Sequence, residues 1–332
     1  MTSDLSIVIV NWNTGDLLRR CVDSIVTTPP SLDYEIVVVD NASSDDSLAR
    51  LRGDAALAAS WRDGTLRIVE NAENLGFGAA NNRAFALSRS PFVLLLNPDT
   101  VVTPGAIDVL ADRLRSDPAI AACGPRLLNA NGTLQTSVWR NPPTPWEIVL
   151  ANLRLYRLLP ARIRGELLLG PHWPHDRRRR VRMLSAAAVL VRRTAIDAVG
   201  GFDERFHLYG EDNEWCLRMA RAGWTLLFEP AALVRHDEAR STLTRWTGLE
   251  KRRRQLEAGF LFQRLSLPRR HVAANQLALY LTATVQRAWR VLRGVDDSEM
   301  TMVMRIHRRH LAESLRTQSS AEADRVRRSG PA

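Results

Sequence analysis

The chain predicts an α/β fold, a mostly parallel mixed sheet with helices on both faces, continued by a helical C-terminal extension. Three observations predict it. Short, β-branched or wholly apolar runs alternate with helix-length runs as far as Cys123, each apolar run ends on Asn, Asp or Glu, and only helical spacing remains beyond about Thr247. Runs that are apolar throughout, rather than every second residue, suit strands buried on both faces, as in parallel sheets.

The first strands are residues 6–10, 35–39, 66–69 and 92–96, and the helices between and after them are 17–26, 47–59, 79–88 and 106–114. Prolines at 142, 143, 145, 160, 171 and 174 and the arginine run 177–180 break the pattern, so an irregular insert or lid is predicted over about 139–182. Order returns with a strand at 187–191, a helix opening at Glu211, strand pieces at 225–228 and 233–235, and helices at 249–265, 271–292 and 300–315. One domain over 1–246, a helical extension over 247–316 and a polar, disordered tail over 317–332 follow.

With 332 residues and 45% hydrophobic content, a sizeable core is available. The net charge of +10 is discounted by about half, because Lys251 is the sole lysine among 46 basic residues and a skew toward Arg and Ala suggests codon bias. The arginines read as scattered, and no nucleic-acid-binding motif accompanies them, so nucleic acid is excluded as a partner. Cys21, Cys123 and Cys216 are odd in number, widely spaced and set in apolar patterns, which predicts core thiols in a reducing compartment. Asp4 precedes only a short apolar run, and no window offers the roughly 18 apolar residues of a membrane span. A cytoplasmic protein is expected, or one peripheral on the inner face of the plasma membrane.

Residues 200–223 carry the strongest chemical signal. Trp215, Met219 and Ala222 recur at helical spacing, Gly223 suits the left-handed closing position, and the acidic pair Glu211 and Asp212 opens the helix. Carboxylates at a helix N-terminus face unsatisfied N–H groups and are expected to stay ionised, as a general base requires. The alternative is that Asp212 is the N-cap and Glu211 a solvated neighbour.

Four strand ends are polar: Asn11 and Asn13, Asp40 and Asn41, Glu70 and Asn71, and Asn97 and Asp99. Each alone suits a turn or cap. Together, at the edge where open α/β sheets bind ligands, they suit a nucleotide, with Asp40 and Asp99 as the carboxylates for ribose or base and for a cation on a diphosphate. Gly76-Phe77-Gly78 matches neither a dinucleotide fingerprint nor a P-loop, yet aims N–H groups at an anion from the start of a helix. Asp99 offers a hard oxygen to Mg²⁺ or Mn²⁺; His236 is either a further ligand or a structural strand-end histidine.

The segments SIVIVNWN, DNASSDDS, NLGFGAANN, LLLNPDT, SAAAVLVRR with GGFDERF, and GEDNEWCLRMARAGW with Arg235-His236 stand in this order from Ser6 to about Ser241. The chain thereby resembles the family 2 glycosyltransferases, in their rhamnosyltransferase-like branch. The resemblance implies a glycosyltransferase A-type, Rossmann-like fold and an inverting transfer from a nucleotide-diphospho-sugar, dTDP-rhamnose before UDP-hexoses. It implies Asp212 as catalytic base, Glu211 and Trp215 on the acceptor side, and Asp99 and His236 on a divalent cation, Mg²⁺ or Mn²⁺. Val10, Asn11, Asn13, Asp40, Asn41, Asn74, Gly76, Asn81, Asn97, Asp99 and Ala186 would line the nucleotide-sugar. Asn97 stands where an Asp-x-Asp motif has its first acid, and Ala186 where relatives often have Gly.

The implied acceptor is a glycan or lipid-linked saccharide of the cell envelope. Trp146 to Leu158 and Leu277 to Leu292 are apolar stripes beside arginines, so they suit an anionic membrane, the catalytic domain or a homo-oligomer contact. The competing classes are a non-catalytic nucleotide-sugar binder or basic scaffold, and a nucleotidyltransferase.

Overall fold

The computed structural model describes residues 3–138, 142–237 and 248–328, with side chains as far as Arg316. The chain divides into two compact units, residues 1–141 with 169–246, and residues 142–168 with 247–332. The expected insert boundary at Trp139, the end of the resemblance at Ser241 and the boundary at Thr247 lie outside the described residues.

The sheet unit begins with β1 (Leu5–Asn11), α1 (Asp16–Thr27), β2 (Tyr34–Asp40), α2 (Ser47–Arg52), α3 (Ala58–Arg62), β3 (Leu66–Glu70), α4 (Phe77–Leu87), β4 (Phe92–Leu96), β5 (Thr100–Val102), α5 (Ala106–Ser116) and β6 (Ile120–Leu128). The chain then supplies α6 (Pro145–Asn152) and α7 (Ala161–Leu168) to the helical unit. It returns for β7 (Arg179–Val181), β8 (Ala188–Arg192), α8 (Arg193–Val199), α9 (Glu211–Arg221) and β9 (Thr225–His236). The strand order is β3-β2-β1-β4-β8-β6-β9-β5, with β7 added to β9.

From β3 to β4 the sheet is parallel, and Asn11, Asp40 and Glu70 are register partners at one edge. Past β4 it is mixed, because β8 runs antiparallel to both β4 and β6 while β6 and β9 are parallel. Alternate residues of each strand enter different apolar layers. Ile7, Ile9, Ile36, Val38, Leu94 and Leu96 pack with α1 and α5, and Val8, Val37, Val39, Val93 and Leu95 pack with α4 and α9. Burial on both faces is why these strands carry no polar alternation.

The structure corrects several local expectations. The single helix over 47–59 is two: α2 ends at Gly53, and the Asp54 carboxylate accepts the Ala56 N–H at 2.9 Å, starting a 3₁₀ turn before α3. The strand pieces at 225–228 and 233–235 are one strand, β9, whose partners Pro125 and Arg126 face Glu229 and Leu233 across a bulge. The insert is not irregular throughout. Pro145 occupies the first turn of α6, where its missing N–H costs nothing, and Thr144 with Glu147 forms a capping box.

The helical unit adds α10 (Gly248–Ser266), α11 (Arg269–Leu292) and α12 (Ser298–Arg328) to α6 and α7. Asn275 Nδ2 donates to the Pro143 carbonyl at 3.0 Å, Asn152 Nδ2 to Thr282 Oγ1 at 2.9 Å and Gln286 Nε2 to the Asn152 carbonyl at 2.7 Å, so α6 runs parallel along α11. Gln263, Gln276 and His307 link α10, α11 and α12 through buried hydrogen bonds of 3.3 and 2.9 Å. Burial pushes the His307 imidazole down to about 4. In the expected tail, the α12 backbone continues to Arg328, and residues 329–332 lie outside the described residues.

Charge separates by unit. Of the 46 basic and 36 acidic residues, 21 and 10 belong to the helical unit and 25 and 26 to the sheet unit, giving +11 and −1. The arginines that read as scattered therefore hold their excess in one unit, which codon bias acting along the whole chain does not explain.

Candidate active site

The loops after β1 and β2 are knitted by the polar residues that the sequence placed at a ligand. Asn11 Nδ2 donates to Asp40 Oδ1 at 2.7 Å and to Ser47 Oγ at 2.9 Å, and Asn11 Oδ1 accepts from Thr14 Oγ1 at 2.5 Å. Asp40 also accepts the Ser43 N–H at 2.9 Å and the Ser43 hydroxyl at 2.6 Å. Asn13, at φ 53°, accepts the N–H groups of Ser44 at 2.6 Å and Asp45 at 3.2 Å. These side chains fix the shape of the loops at that end of the sheet. Val10 packs its side chain into the second apolar layer and presents none to a ligand.

Around the glycine segment, Asn71 Nδ2 donates to Asn41 Oδ1 at 2.6 Å, and Asn41 Nδ2 to the Gly76 carbonyl at 3.1 Å. Asn74 Oδ1 accepts the Gly76 N–H at 2.9 Å. Gly76 has φ +86°, and a Cβ there would stand 2.9 Å from both the His207 carbonyl oxygen and its ring Nδ1. Only glycine satisfies both demands. The contact holds the 200–210 loop, and so the start of α9, against the end of the parallel half-sheet. Asn81 turns inward instead: it is buried and donates to the Phe77 carbonyl at 2.8 Å within α4, so its side chain is taken up by the helix.

Gly210, at φ 91°, is the N-cap of α9, which leaves Glu211 and Asp212 in its first turn. Asp212 Oδ1 accepts the Asn213 N–H at 2.8 Å, and the Ala186 amide also bonds to its carboxylate. The neighbouring Ala187 carbonyl accepts the Asn97 N–H at 2.9 Å, so Asp212 sits where β8 starts and β4 ends. Glu211 is 6% exposed, and its Oε2 has no hydrogen-bond partner among the described residues.

The expectation of two carboxylates at ordinary proton affinity does not hold. Desolvation pushes both groups up, and for Glu211 the charge of Asp212 adds to it, while the Asn213 and Ala186 amides draw Asp212 back toward ionisation. A helix N-terminus contributes up to about 2 kcal/mol, whereas burial shifts carboxyls by several pK units at about 1.4 kcal/mol each, so burial prevails. Trp215 also departs from expectation. It is 2% exposed, packs against Phe85 and Phe202, and donates its indole N–H to the Gly200 carbonyl at 2.9 Å, which leaves no face for an acceptor.

Asp99, Asn97 and His236 form the second centre. Antiparallel pairing of β5 with β9 sets Thr100 opposite His236, and the Asp237 N–H donates to the Asp99 carbonyl at 2.9 Å. Gln135 Nε2 donates to Asn129 Oδ1 at 3.2 Å, which turns Gln135 Oε1 toward His236 Nδ1 at 2.7 Å and places the ring proton there. His236 Nε2 then directs its lone pair toward Asp99 Oδ1, 3.2 Å away, with Asn97 Nδ2 also at 3.2 Å. The Asn97 amide donates to that lone pair, and the imidazole nitrogen beside a buried carboxylate oxygen is a donor pair that a divalent cation can share. The donor set thus fits a divalent cation, although the described residues hold no cluster of three His, Cys, Asp or Glu able to bind one. The remaining positions fall to substrate phosphates and water.

Gln135 and Asn129 escaped the sequence reading. They lie in a turn without periodicity, and nothing local announces that they orient an imidazole a hundred residues away. Across the sheet, β2, β1, β4 and β8 are successive neighbours at about 4.8 Å. Asp40 and Asn97 are thus set roughly 10 Å apart along one edge, with Asp212 joined to the β8 end of it.

A model of glycosyl transferase family 2 matches residues 6–169, and one of glycosyl transferase family group 2 matches residues 92–306. An N-acetylglucosaminyl-diphospho-decaprenol L-rhamnosyltransferase of Mycobacterium tuberculosis is 31% identical over 268 residues, covering 73% of this chain and 78% of that protein. A pre-mycofactocin glycosyltransferase of the same organism is 30% identical over 244 residues, covering 73% of this chain and 44% of that one. Among solved structures, the mannosyltransferase PcManGT of Pyrobaculum calidifontis, in complex with GDP-Man and Mn²⁺, superposes with a TM-score of 0.56 at 15% identity over 95% of this chain and 86% of that one. GalNAc-T7 with UDP, GalNAc and Mn²⁺ gives 0.55 at 16% identity over 93% of this chain and 54% of that one. At such identities the two structures speak for the fold, the glycosyltransferase A type.

Proposed function

The chain belongs to the family 2 glycosyltransferases, rhamnosyltransferase-like in sequence, and from that premise we propose that it transfers rhamnose from dTDP-rhamnose, with inversion, to a hydroxyl of a lipid-linked saccharide or glycan in cell-envelope polysaccharide synthesis. The name of the decaprenol-linked relative supports the choice of rhamnose and of a lipid-linked acceptor. The observation that carries the mechanism is the carboxylate of Asp212, tied by the Ala186 amide to the strand end beside Asn97.

In this reading Asp212 takes the proton of the acceptor hydroxyl as that oxygen bonds to the anomeric carbon and the nucleoside diphosphate leaves. The two amides on Asp212 orient it, and its raised proton affinity makes it a better base than an exposed aspartate while still ionised near neutrality. Buried Glu211, beside it, is pushed toward its protonated form by desolvation and by the Asp212 charge, which disfavours a second negative charge. Asp40, Asn11 and Asn41 shape the nucleoside end through the loops that they hold. Asp99 and His236 would hold Mg²⁺ or Mn²⁺, which supplies positive charge to the diphosphate leaving group.

The test is turnover with a panel of dTDP- and UDP-sugars, water-soluble saccharide acceptors and either metal. Rhamnosyl transfer from dTDP-rhamnose, lost in Asp212→Asn while donor binding persists, is expected. Preference for another donor would sink the sugar assignment, and near-normal turnover by Asp212→Asn would sink the base.

A further inference from the structure

Helix α11 has two unlike faces. Val272, Asn275, Gln276, Thr282 and Ala283 are buried in the helical unit. On the other side Leu277, Leu281, Val285, Trp289 and Leu292 recur at helical spacing, from 44% exposed at Leu277 to 87% at Leu292. Between His271 and Gln286 no residue of the helix is Asp, Glu, Lys or Arg. At 100° per residue, Arg270 stands in line with the apolar face at its N-terminal end and Arg293 stands about a quarter-turn to one side of it. The Arg293 guanidinium lies 4.0 Å from the Trp289 ring centre, which holds the indole at the surface.

A further exposed leucine belongs to the same unit. Asn152, the last residue of α6, lies beside Gln286, and Leu158, 83% exposed, follows six residues later with Arg154 and Arg157 nearby in the chain. No helix among the described residues is long and apolar enough to cross a membrane.

Three kinds of occupant suit different parts of this surface. A second copy suits the leucines, but it sets a unit of net charge +11 against another of the same sign. A nucleic acid suits the charge but not a line of exposed leucines. An anionic lipid bilayer suits both, with apolar side chains entering the acyl boundary and arginines meeting the headgroups. We propose that the helical unit docks on an anionic membrane surface through the outer face of α11, lying on the bilayer without spanning it. The inference stands apart from the donor and acceptor assigned above, because docking requires no turnover.

The test is flotation of the full chain with vesicles of phosphatidylglycerol and phosphatidylcholine in equal parts, against vesicles of phosphatidylcholine alone. The wild type is expected to float with the mixed vesicles, to be released by salt and to stay unbound with the neutral ones. Leu281→Asp combined with Val285→Asp, both at exposed positions, is expected to lower the partition coefficient at least roughly tenfold with an unchanged melting temperature. Arg270→Glu with Arg293→Glu is expected to do the same, by roughly tenfold, for the anionic vesicles. Equal binding to neutral vesicles, or no loss in the aspartate double variant, overturns the proposal. So does a vesicle-inert protein that sediments as a dimer broken by those aspartates, or one that binds only single-stranded DNA.

Discussion

The two units bury and expose opposite things. The sheet unit, at −1, hides polar groups: Asn11, Asp40, Asp99, Glu211 and His236 are all buried, most of them in directed hydrogen bonds. The helical unit, at +11, hides a thin polar line of Gln263, Gln276 and His307 and leaves leucines and a tryptophan in the open. Buried polar groups are expensive unless each is satisfied, so a unit that concentrates them is specified for chemistry. Exposed apolar groups beside excess charge cost solubility, and a unit that keeps them is specified for a surface.

The sharpest way to break this contrast is Asp212→Asn. The rate of transfer is expected to fall roughly 10²–10⁴-fold with donor affinity unchanged, whereas substitutions on the outer face of α11 leave turnover on a soluble acceptor intact. Initial rates and donor titration on the same preparations check both halves. Next in size is Gln135→Leu. Without its acceptor on Nδ1, His236 loses its fixed orientation, and Mn²⁺ affinity measured by titration calorimetry is expected to drop roughly 10–100-fold.

Stability offers two finer tests. Gln276→Leu leaves the Gln263 and His307 groups unpartnered, so chemical denaturation should show a loss of about 1–3 kcal/mol with metal affinity unaltered. For Glu211 the folded-state proton affinity lies above the unfolded one. Its contribution is therefore fully present at acid pH, below the unfolded pKa, and is lost as pH rises through the raised folded value. Glu211→Gln removes that decline. Relative to wild type the variant should be level in acid and more stable by about 1–3 kcal/mol in alkali, read from melting temperature against pH.

Much of the sheet unit was legible in the sequence because its strands are buried on both faces and end abruptly on polar residues. What could not be read was where those polar side chains turn. Asn81 and Trp215 carry the residue types of a site but face α4 and the aromatic cluster, and only packing against Phe77 and Phe202 decides that. The raised proton affinity of Glu211 and Asp212 likewise depends on burial by segments distant in the chain. The prolines of the insert misled for a related reason: a proline that starts a helix and one that breaks it look alike until the residues beside it, here Thr144 and Glu147, are seen to cap.

Strand β9 carries a consequence for how this lineage can vary. His236 lies at the far end of a strand whose side chains switch sides at every residue, beyond a bulge against β6. Deleting a single residue between that bulge and position 236 would swing the imidazole through the sheet to the opposite surface, whereas losing two would return it to the same one. Gaps of odd length should therefore be purged from this stretch in any working descendant, and ancestral shortening, where it occurred, should have come in pairs.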